Sequence, residues 1–431
     1  MNNFANMSFS LVGYGVSNQA LAGYFLDRGI DFVVRTPEKV DTPKGVTNIY
    51  GNGYLNSYED IVFRSPVLRP ERIRTDGIVT TEIKYALSKA KGIKIGITGS
   101  DGKTTVSTLI YEMIKNSGKD ALLCGNIGSP LIDKLDRVSE KTHIVCELSS
   151  FQLFDHSPYL DVALITNITE NHLDWHLTLD EYIQTKLGIL KNASRAVIDI
   201  DNEYLEKELS NISRDKRLVC VSFEKKDIKR ENTDLVYIEN GSICYNGEAV
   251  LQTDRIKLRA GFNIKNYALA IASSYPYVTR EAILKTAEEF TGVCHRMELV
   301  CEKNGISFCD SSIDSTPSRT QKTLSAFDKD KVALILGGYD KNLDYSQMKE
   351  AVDGVKAVIL CGENAPKIYD AIKASKTKIY IEEIFDNAVK KAYSLCQEGD
   401  TVLLSPASAS FDMFANYKER SKAFLAIARE L

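Results

Sequence analysis

A chain of 431 residues has room for two or three domains with cores of their own, and 44% hydrophobic against 26% charged residues is the balance of an ordinary globular protein. A formal net charge of −4 supplies no basic excess for nucleic acid, and no apolar run approaches the roughly 20 residues that span a bilayer. Nine cysteines without a CxxC pair read as reduced, mostly buried thiols, and the opening MNNFANMSFSLVGYG lacks the features of a signal peptide, so a cytoplasmic location is expected.

The first segment, residues 1–91, opens FSLVGYGVSNQALAGYFLDRG. A strand over 9–12 meets a glycine turn, after which Ala20, Leu21, Tyr24 and Phe25 recur at helical spacing. A second strand, IDFVV, follows Gly29 and completes a βαβ opening, whose turn points backbone N–H groups at a phosphate. The glycines are only Gly13-x-Gly15, without the third of a dinucleotide fingerprint, and a plain structural turn is an equal reading.

In the second segment, 92–293, strand runs recur at IKIGIT, DALLCG, THIVCELS, DVALITNI and RAVIDID, with helical stretches between several of them. That alternation predicts a doubly wound, mostly parallel sheet. After about Cys220 the pieces shorten, Asn240-Gly241 marks a hairpin turn, and NIKNYALAIASSY reads as a helix. The third segment, 294–431, alternates ISFCDS, VALILGG, AVILCG, KIYIEE and TVLLSP with helices and ends in the helical run DMFANYKERSKAFLAIAREL.

Chemistry concentrates at the carboxyl ends of these strands. GITGSDGKTT, residues 96–105, joins a strand to a helix through Gly99 and Gly102, which let the backbone wrap an anion. Lys103 can neutralise outer phosphates, and the hydroxyl of Thr104 or Thr105 can ligate Mg²⁺. Only two residues separate Gly99 from the Gly-Lys pair, fewer than in the standard phosphate loop. Glu147 ends an apolar strand in CELSSFQL, where a carboxylate beside such a loop suits a hard ion, although a salt-bridge role is a competing reading. His172 shares TNITENHLDWH with Glu170 and Asp174, a second candidate for metal or substrate. Lys186, in EYIQTKLGIL, resembles any solvent-facing helix lysine, and its spacing assigns it no role. CDSSIDSTPSRT, LGGYDKNLDY and SPASASFDMFANYKER each follow an apolar strand, and together suit a small carboxylate-bearing ligand. The predicted fold class is α/β with three domains: Rossmann-like, then P-loop ATPase-like with a mostly parallel sheet, then Rossmann-like again.

GITGSDGKTT, ELSSFQL, NITENHLD, HRME, LILGGYDK and LLSPASASFDMF together resemble the Mur ligases of peptidoglycan synthesis, in order along all three segments. ELSSFQL and SPASASFDMF are most similar to the D-glutamate-adding branch. The resemblance implies a uridine-nucleotide domain, a central ATPase domain and an amino-acid domain. It implies that ATP and Mg²⁺ activate the L-alanine carboxylate of UDP-N-acetylmuramoyl-L-alanine as an acyl phosphate, which D-glutamate attacks; a monomer is favoured.

Carried over by residue, the resemblance gives Lys103, Thr104 and Glu147 to the phosphates and first magnesium, and His172 to a second. Lys186 matches the family lysine that becomes carbamoylated beside the metal. Asn266, Arg296 and Asp310 match ATP contacts, and Ser17, Thr36, Ser65 and Asn126 match positions near the uridine diphosphate. Lys341, Ser410 and Tyr417 match the D-glutamate pocket. Departures from the pattern are Asp101 in the phosphate loop, Phe262 where the family has histidine, and DSSIDSTP in place of the commoner DSKATN. The rival readings are a sister ligase, a folylpolyglutamate-synthase-like ligase, and a phosphate-loop switch or phosphotransferase. The last needs neither a uridine-binding segment nor a third α/β domain.

Overall fold

Three sheets take up the strand runs in the computed structural model, which describes residues 7–173, 175–258 and 261–431. The first contains β1 (Phe9–Val12), β2 (Val33–Thr36), β3 (Thr47–Tyr50), β4 (Ile61–Arg64) and β5 (Ile78–Thr80), in the order β3-β2-β1-β4-β5. All its pairs are parallel. The order reverses at β1, so the carboxyl ends of β1 and β4 flank the switch point where open α/β sheets bind ligands. Phe25, from the helix Val16–Leu26, packs against Phe9, Phe32 and Phe63 at ring-centroid distances of 5.3, 5.7 and 5.6 Å. That helix therefore buries the face its spacing marked out.

The second sheet contains β6 (Ile93–Thr98), β7 (Ala121–Gly125), β8 (His143–Glu147), β9 (Tyr159–Ile165), β10 (Asn192–Asp199), β11 (Arg217–Val221), β12 (Thr233–Glu239), β13 (Ser242–Tyr245) and β14 (Glu248–Gln252). Their order is β14-β13-β12-β11-β10-β9-β6-β8-β7, and only the β12-β13 and β13-β14 pairs are antiparallel. Asn240 and Gly241 turn the first hairpin with φ of +50° and +71°, and Asn246-Gly247 turn the next with +49° and +92°. Positive φ at both central residues suits the twist of such hairpins.

The third sheet contains β15 (Glu298–Lys303), β16 (Ile306–Asp310), β17 (Val332–Leu336), β18 (Ala357–Leu360), β19 (Ile379–Ile381) and β20 (Thr401–Leu404), ordered β15-β16-β20-β17-β18-β19. Only β15 runs antiparallel to its neighbour.

The chain divides into two compact units. One takes the first two sheets together with Phe262–Glu288; the other takes Glu289–Leu431 together with the stretch ending at Gly261. Within the first unit a single apolar core runs from Leu11, Phe25, Phe63 and Leu87 to Leu131, Ile144 and Ile165. The two sheets share it. Among the described residues, no helix is long and apolar enough to cross a membrane.

Five short strands lay outside the sequence reading: β3, β4, β5, β11 and β15. Each of the first three has four residues or fewer, too short for a periodic signal, and β15 is a half-exposed edge. The last helix spans Tyr417–Glu430, beginning later than DMFANYKER suggested. Asn416 sets the start, since its side-chain oxygen accepts from the backbone N–H of Lys418 (2.9 Å) and Glu419 (3.1 Å).

A buried carboxylate joins the antiparallel hairpins to the parallel part of the second sheet. Asp234 on β12 accepts from Arg217 Nη2 (2.7 Å) on β11, Tyr245 Oη (2.7 Å) on β13 and Asn246 Nδ2 (2.8 Å). Burial pushes its carboxyl up, but these donors outweigh burial and hold it at about 2. A folded-state value below the unfolded one of about 3.9 gives stabilisation that is complete above that pH and lost toward the lower value. Urea titrations from pH 7 to 3 should show Asp234→Asn less stable than wild type at neutral pH, with the gap narrowing below about pH 4. A gap independent of pH would contradict this.

Candidate active site

Gly99 and Gly102 set the shape of the loop between β6 and the helix Lys103–Asn116. Gly99 has φ of +146°, and a Cβ there would stand 1.9 Å from Thr166 Oγ1; at Gly102, with φ of +75°, it would meet Asn266 Oδ1 at 2.7 Å. At Gly99 only glycine fits, and at Gly102 a side chain would strain the backbone and push Asn266 aside. Ser100 N–H donates to Asn167 O (2.9 Å), Asp101 N–H donates to Asn167 Oδ1 (2.9 Å), and Ser100 Oγ pairs with Tyr182 Oη (2.8 Å). The loop is thus fixed from the end of β9 and from the helix Leu179–Leu187, and it leads into the first turn of the helix that begins at Lys103, whose backbone N–H groups have no partner within the helix.

Two ammonium groups converge on this loop. Lys103 Nζ donates to Gly99 O (2.8 Å) and Ser100 O (2.9 Å), and Lys186 Nζ donates to the same Gly99 O (2.8 Å). Lys186 is 2% exposed, so the solvent-facing reading of this helix lysine is wrong: the helix Leu179–Leu187 buries Tyr182 and Lys186 on one face. Burial first, and Lys103 second, hold its amine well below the ordinary lysine range, against the pull of Asp101 and Glu147.

Glu147 closes β8 and is buried. Its Oε1 accepts from Asn126 Nδ2 (2.8 Å), while Oε2, equally buried, has no hydrogen-bond partner among the described residues. Asn126 itself is exposed just after β7 of the second sheet, whereas Ser17, Thr36 and Ser65 lie in or beside elements of the first. His172 is exposed with φ of +54°, its ring 4.9 Å from that of Phe151. Asp174 lies outside the described residues. Asn266, nearly buried, donates to Asn263 Oδ1 (3.0 Å) and faces Gly102, whereas Phe262, in place of the family histidine, is 44% exposed.

On the first sheet, Gly13 and Ser65 meet at the switch point, where a Cβ on Gly13 would lie 2.8 Å from Ser65 Cβ. Ser17 occupies the first turn of the helix after β1. Thr36 ends β2, where its hydroxyl donates to Glu38 O (2.6 Å).

In the second unit, Asp310 ends β16 fully buried and accepts from Ser312 N–H (2.8 Å) and from Ser421 Oγ, with His295 Nδ1 at 3.1 Å. Burial raises its carboxyl, and these partners outweigh burial to hold it below the usual range. Arg296 N–H donates to Val293 O (2.9 Å) beside this cluster. Tyr417 sets its ring edge-on to His295 (5.5 Å), while Lys341 lies 5.4 Å from the Phe411 ring, next to the buried Ser410. Among the described residues, no hydrogen bond joins Lys341, Ser410 and Tyr417 to one another. Asp314, in the variant stretch, is buried and accepts from Thr323 Oγ1 (2.7 Å) and Ser405 Oγ (2.8 Å), a packing role.

Family models match both units: the Mur ligase middle domain over residues 97–274, and the Mur ligase, glutamate ligase domain over 295–408. The chain is 38% identical to the UDP-N-acetylmuramoylalanine–D-glutamate ligase of Ruminiclostridium cellulolyticum, covering 99% of this chain and 97% of that one. The protein of the same name from Clostridium botulinum is 37% identical, with 98% and 96% covered. The chain belongs to the Mur ligase family. Two solved structures share the fold at low identity. UDP-N-acetylmuramate-alanine ligase from Thermotoga maritima has a TM-score of 0.60 at 18% identity, covering 99% of this chain and 100% of that one. A MurF ligase from the same organism, in complex with ADP, has 0.56 at 16%, with 100% of each chain covered.

Sequence reading missed the residues that hold this Mur ligase's phosphate loop in place: Ser100, Thr166, Asn167 and Tyr182. A signal was available. Thr166-Asn167 directly follows the apolar run of β9, and Tyr182 precedes Lys186 by one helical turn.

The loop's steric demand can be measured against a control glycine. Gly51 has φ of +89° with nothing within 4 Å of a built Cβ. Gly51→Ala should therefore cost only the conformational term, about 1–2 kcal/mol. Gly102→Ala should cost clearly more in urea unfolding, because the new methyl must also displace Asn266. Equal losses would show that the loop does not press on Asn266.

Proposed function

We propose that this Mur ligase joins D-glutamate to UDP-N-acetylmuramoyl-L-alanine, with ATP giving ADP and phosphate, as a step of peptidoglycan precursor synthesis in the cytoplasm. The observation that carries the reading is the glycine-framed phosphate loop with two lysines on it, beside the buried carboxylate of Glu147. Nearly full-length relatives bearing that enzyme's name support the choice among ligases.

A carboxylate is a poor acyl donor, and phosphorylation supplies the leaving group that the amine of D-glutamate then expels. Negative charge builds on the transferring phosphoryl group, and Lys103 with the first-turn N–H groups meets it electrostatically. The donor set suits Mg²⁺: a buried carboxylate oxygen of Glu147 without a partner, and the Thr104 hydroxyl one residue past the phosphate-loop lysine. Bound there, the ion would neutralise phosphate charge; His172 is assigned to a second ion. Lys186 has the depressed amine that carbamoylation needs, since the neutral nitrogen attacks CO₂ and sheds a proton. Asn266, Arg296 and Asp310 are assigned to ATP, Ser17, Thr36, Ser65 and Asn126 to the uridine nucleotide, and Lys341, Ser410 and Tyr417 to D-glutamate.

Phosphate release should require UDP-N-acetylmuramoyl-L-alanine, D-glutamate and Mg²⁺ together, with L-glutamate a poor substitute. Lys103→Ala should lower turnover about 10²-fold or more while leaving affinity for the uridine nucleotide nearly unchanged. Rapid ATP hydrolysis by the protein alone would favour a switch, and preference for another amino acid would favour a sister ligase.

A further inference from the structure

The stretch after β4, residues 65–72, is fastened to segments that follow β8 and β9 of the second sheet. Arg64, fully buried, donates from Nη1 to Pro66 O (2.9 Å) and Leu68 O (3.0 Å), and from Nη2 to Phe154 O (3.3 Å). Arg69 makes a two-pronged pair with Glu181, Nη1 to Oε2 at 3.0 Å and Nη2 to Oε1 at 2.9 Å. Its Nη1 also donates to Trp175 O (2.9 Å), and its guanidinium lies 4.8 and 5.1 Å from the Phe154 and Trp175 ring centroids. Trp175 Nε1 answers by donating to Val67 O (2.6 Å). Exposed ion pairs hold little, but here the side chains are only 15% and 26% exposed, and the fork fixes geometry as well as charge.

What Arg69 grips is the first turn of the helix Leu179–Leu187. Thr178 caps that helix through the Glu181 N–H (3.1 Å), and Glu181 Oε2 reaches back to the Leu177 N–H (2.9 Å). The next residue, Tyr182, holds Ser100 of the phosphate loop, and Lys186 follows about 6 Å further along the same helix. A rigid helix thus connects the clamp to the amine on Gly99 O.

We propose that Arg69 is a positioning residue that couples the Ser65 loop of the first sheet to the placement of Lys186, so that a uridine nucleotide ordering that loop also steadies the phosphate-transfer helix. The inference rests on the ligase reading above. A ligand that orders 65–69 adds its stabilisation to whatever that stretch holds, and the contacts show what it holds.

Hydrogen exchange of amides 177–187, followed with and without UDP-N-acetylmuramoyl-L-alanine, tests this directly. In wild type the ligand should slow exchange across that helix, and in Arg69→Ala it should not, although the ligand still binds. In turnover, Arg69→Ala should lower kcat about tenfold or more with little change in KM for ATP, and Arg69→Lys should recover little because lysine lacks the fork. If Arg69→Ala melts too early to assay, Glu181→Gln, which keeps the side chain's size, carries the same test. Ligand-dependent slowing that survives in the variant, or wild type that binds the ligand without slowing at 177–187, overturns the coupling and leaves the ligase reading intact. Wild type that neither binds the ligand nor releases phosphate overturns the ligase reading, and the coupling with it.

Discussion

Two lysine ammonium groups donate to one carbonyl oxygen, that of Gly99. Like charges so placed cannot both be comfortable, and the buried member, Lys186, is the one whose charged form is penalised. The loop beneath it is tied down from several directions. Thr166 and Asn167 hold it from the end of β9 and Tyr182 from the helix that carries Lys186, while Asn266 lies close against Gly102. Remove the positive φ at Gly99 or Gly102 and the carbonyl that both lysines share would turn elsewhere.

The parallel order of the second sheet brings these groups together from distant parts of the chain. β6 lies between β9 and β8, so the phosphate loop emerges beside the loops after Ile165 and Glu147. Gly99, Thr166 and Glu147 are thereby neighbours at one sheet edge. Side chains at that edge face a common space because parallel strands share a direction, which is why ligand chemistry gathers there. The first sheet repeats the logic on a smaller scale, with Gly13 and Ser65 at its reversal point.

Much of this was legible in the chain. The strand-glycine-lysine-helix run from Ile93 to Asn116 states its own geometry, and Asn240-Gly241 states its turn. Glu147 was readable from its place at the end of an apolar strand. Lys186 was not, because nothing local distinguishes a buried helix lysine from an exposed one. Its burial comes from Tyr182 and Lys186 sharing the face that packs on a loop over eighty residues away in sequence. Arg69 was silent for the same reason: its partners, Trp175 and Glu181, are supplied by another sheet. The resemblance to a ligase family singled out the lysine, and the structure shows it buried against the Gly99 carbonyl.

On the proposed reading, the chemistry at this edge of the sheet is activation of a substrate carboxylate by phosphoryl transfer. It leaves an isotopic record. With the alanine carboxylate of UDP-N-acetylmuramoyl-L-alanine enriched in ¹⁸O, an acyl phosphate requires one carboxylate oxygen to leave with the phosphate when D-glutamate attacks. Mass spectrometry of the released phosphate should therefore find one ¹⁸O per molecule formed in step with the amide. Phosphate carrying only ordinary oxygen, at the same rate of turnover, would mean that water takes the phosphoryl group and that the carboxylate is never activated.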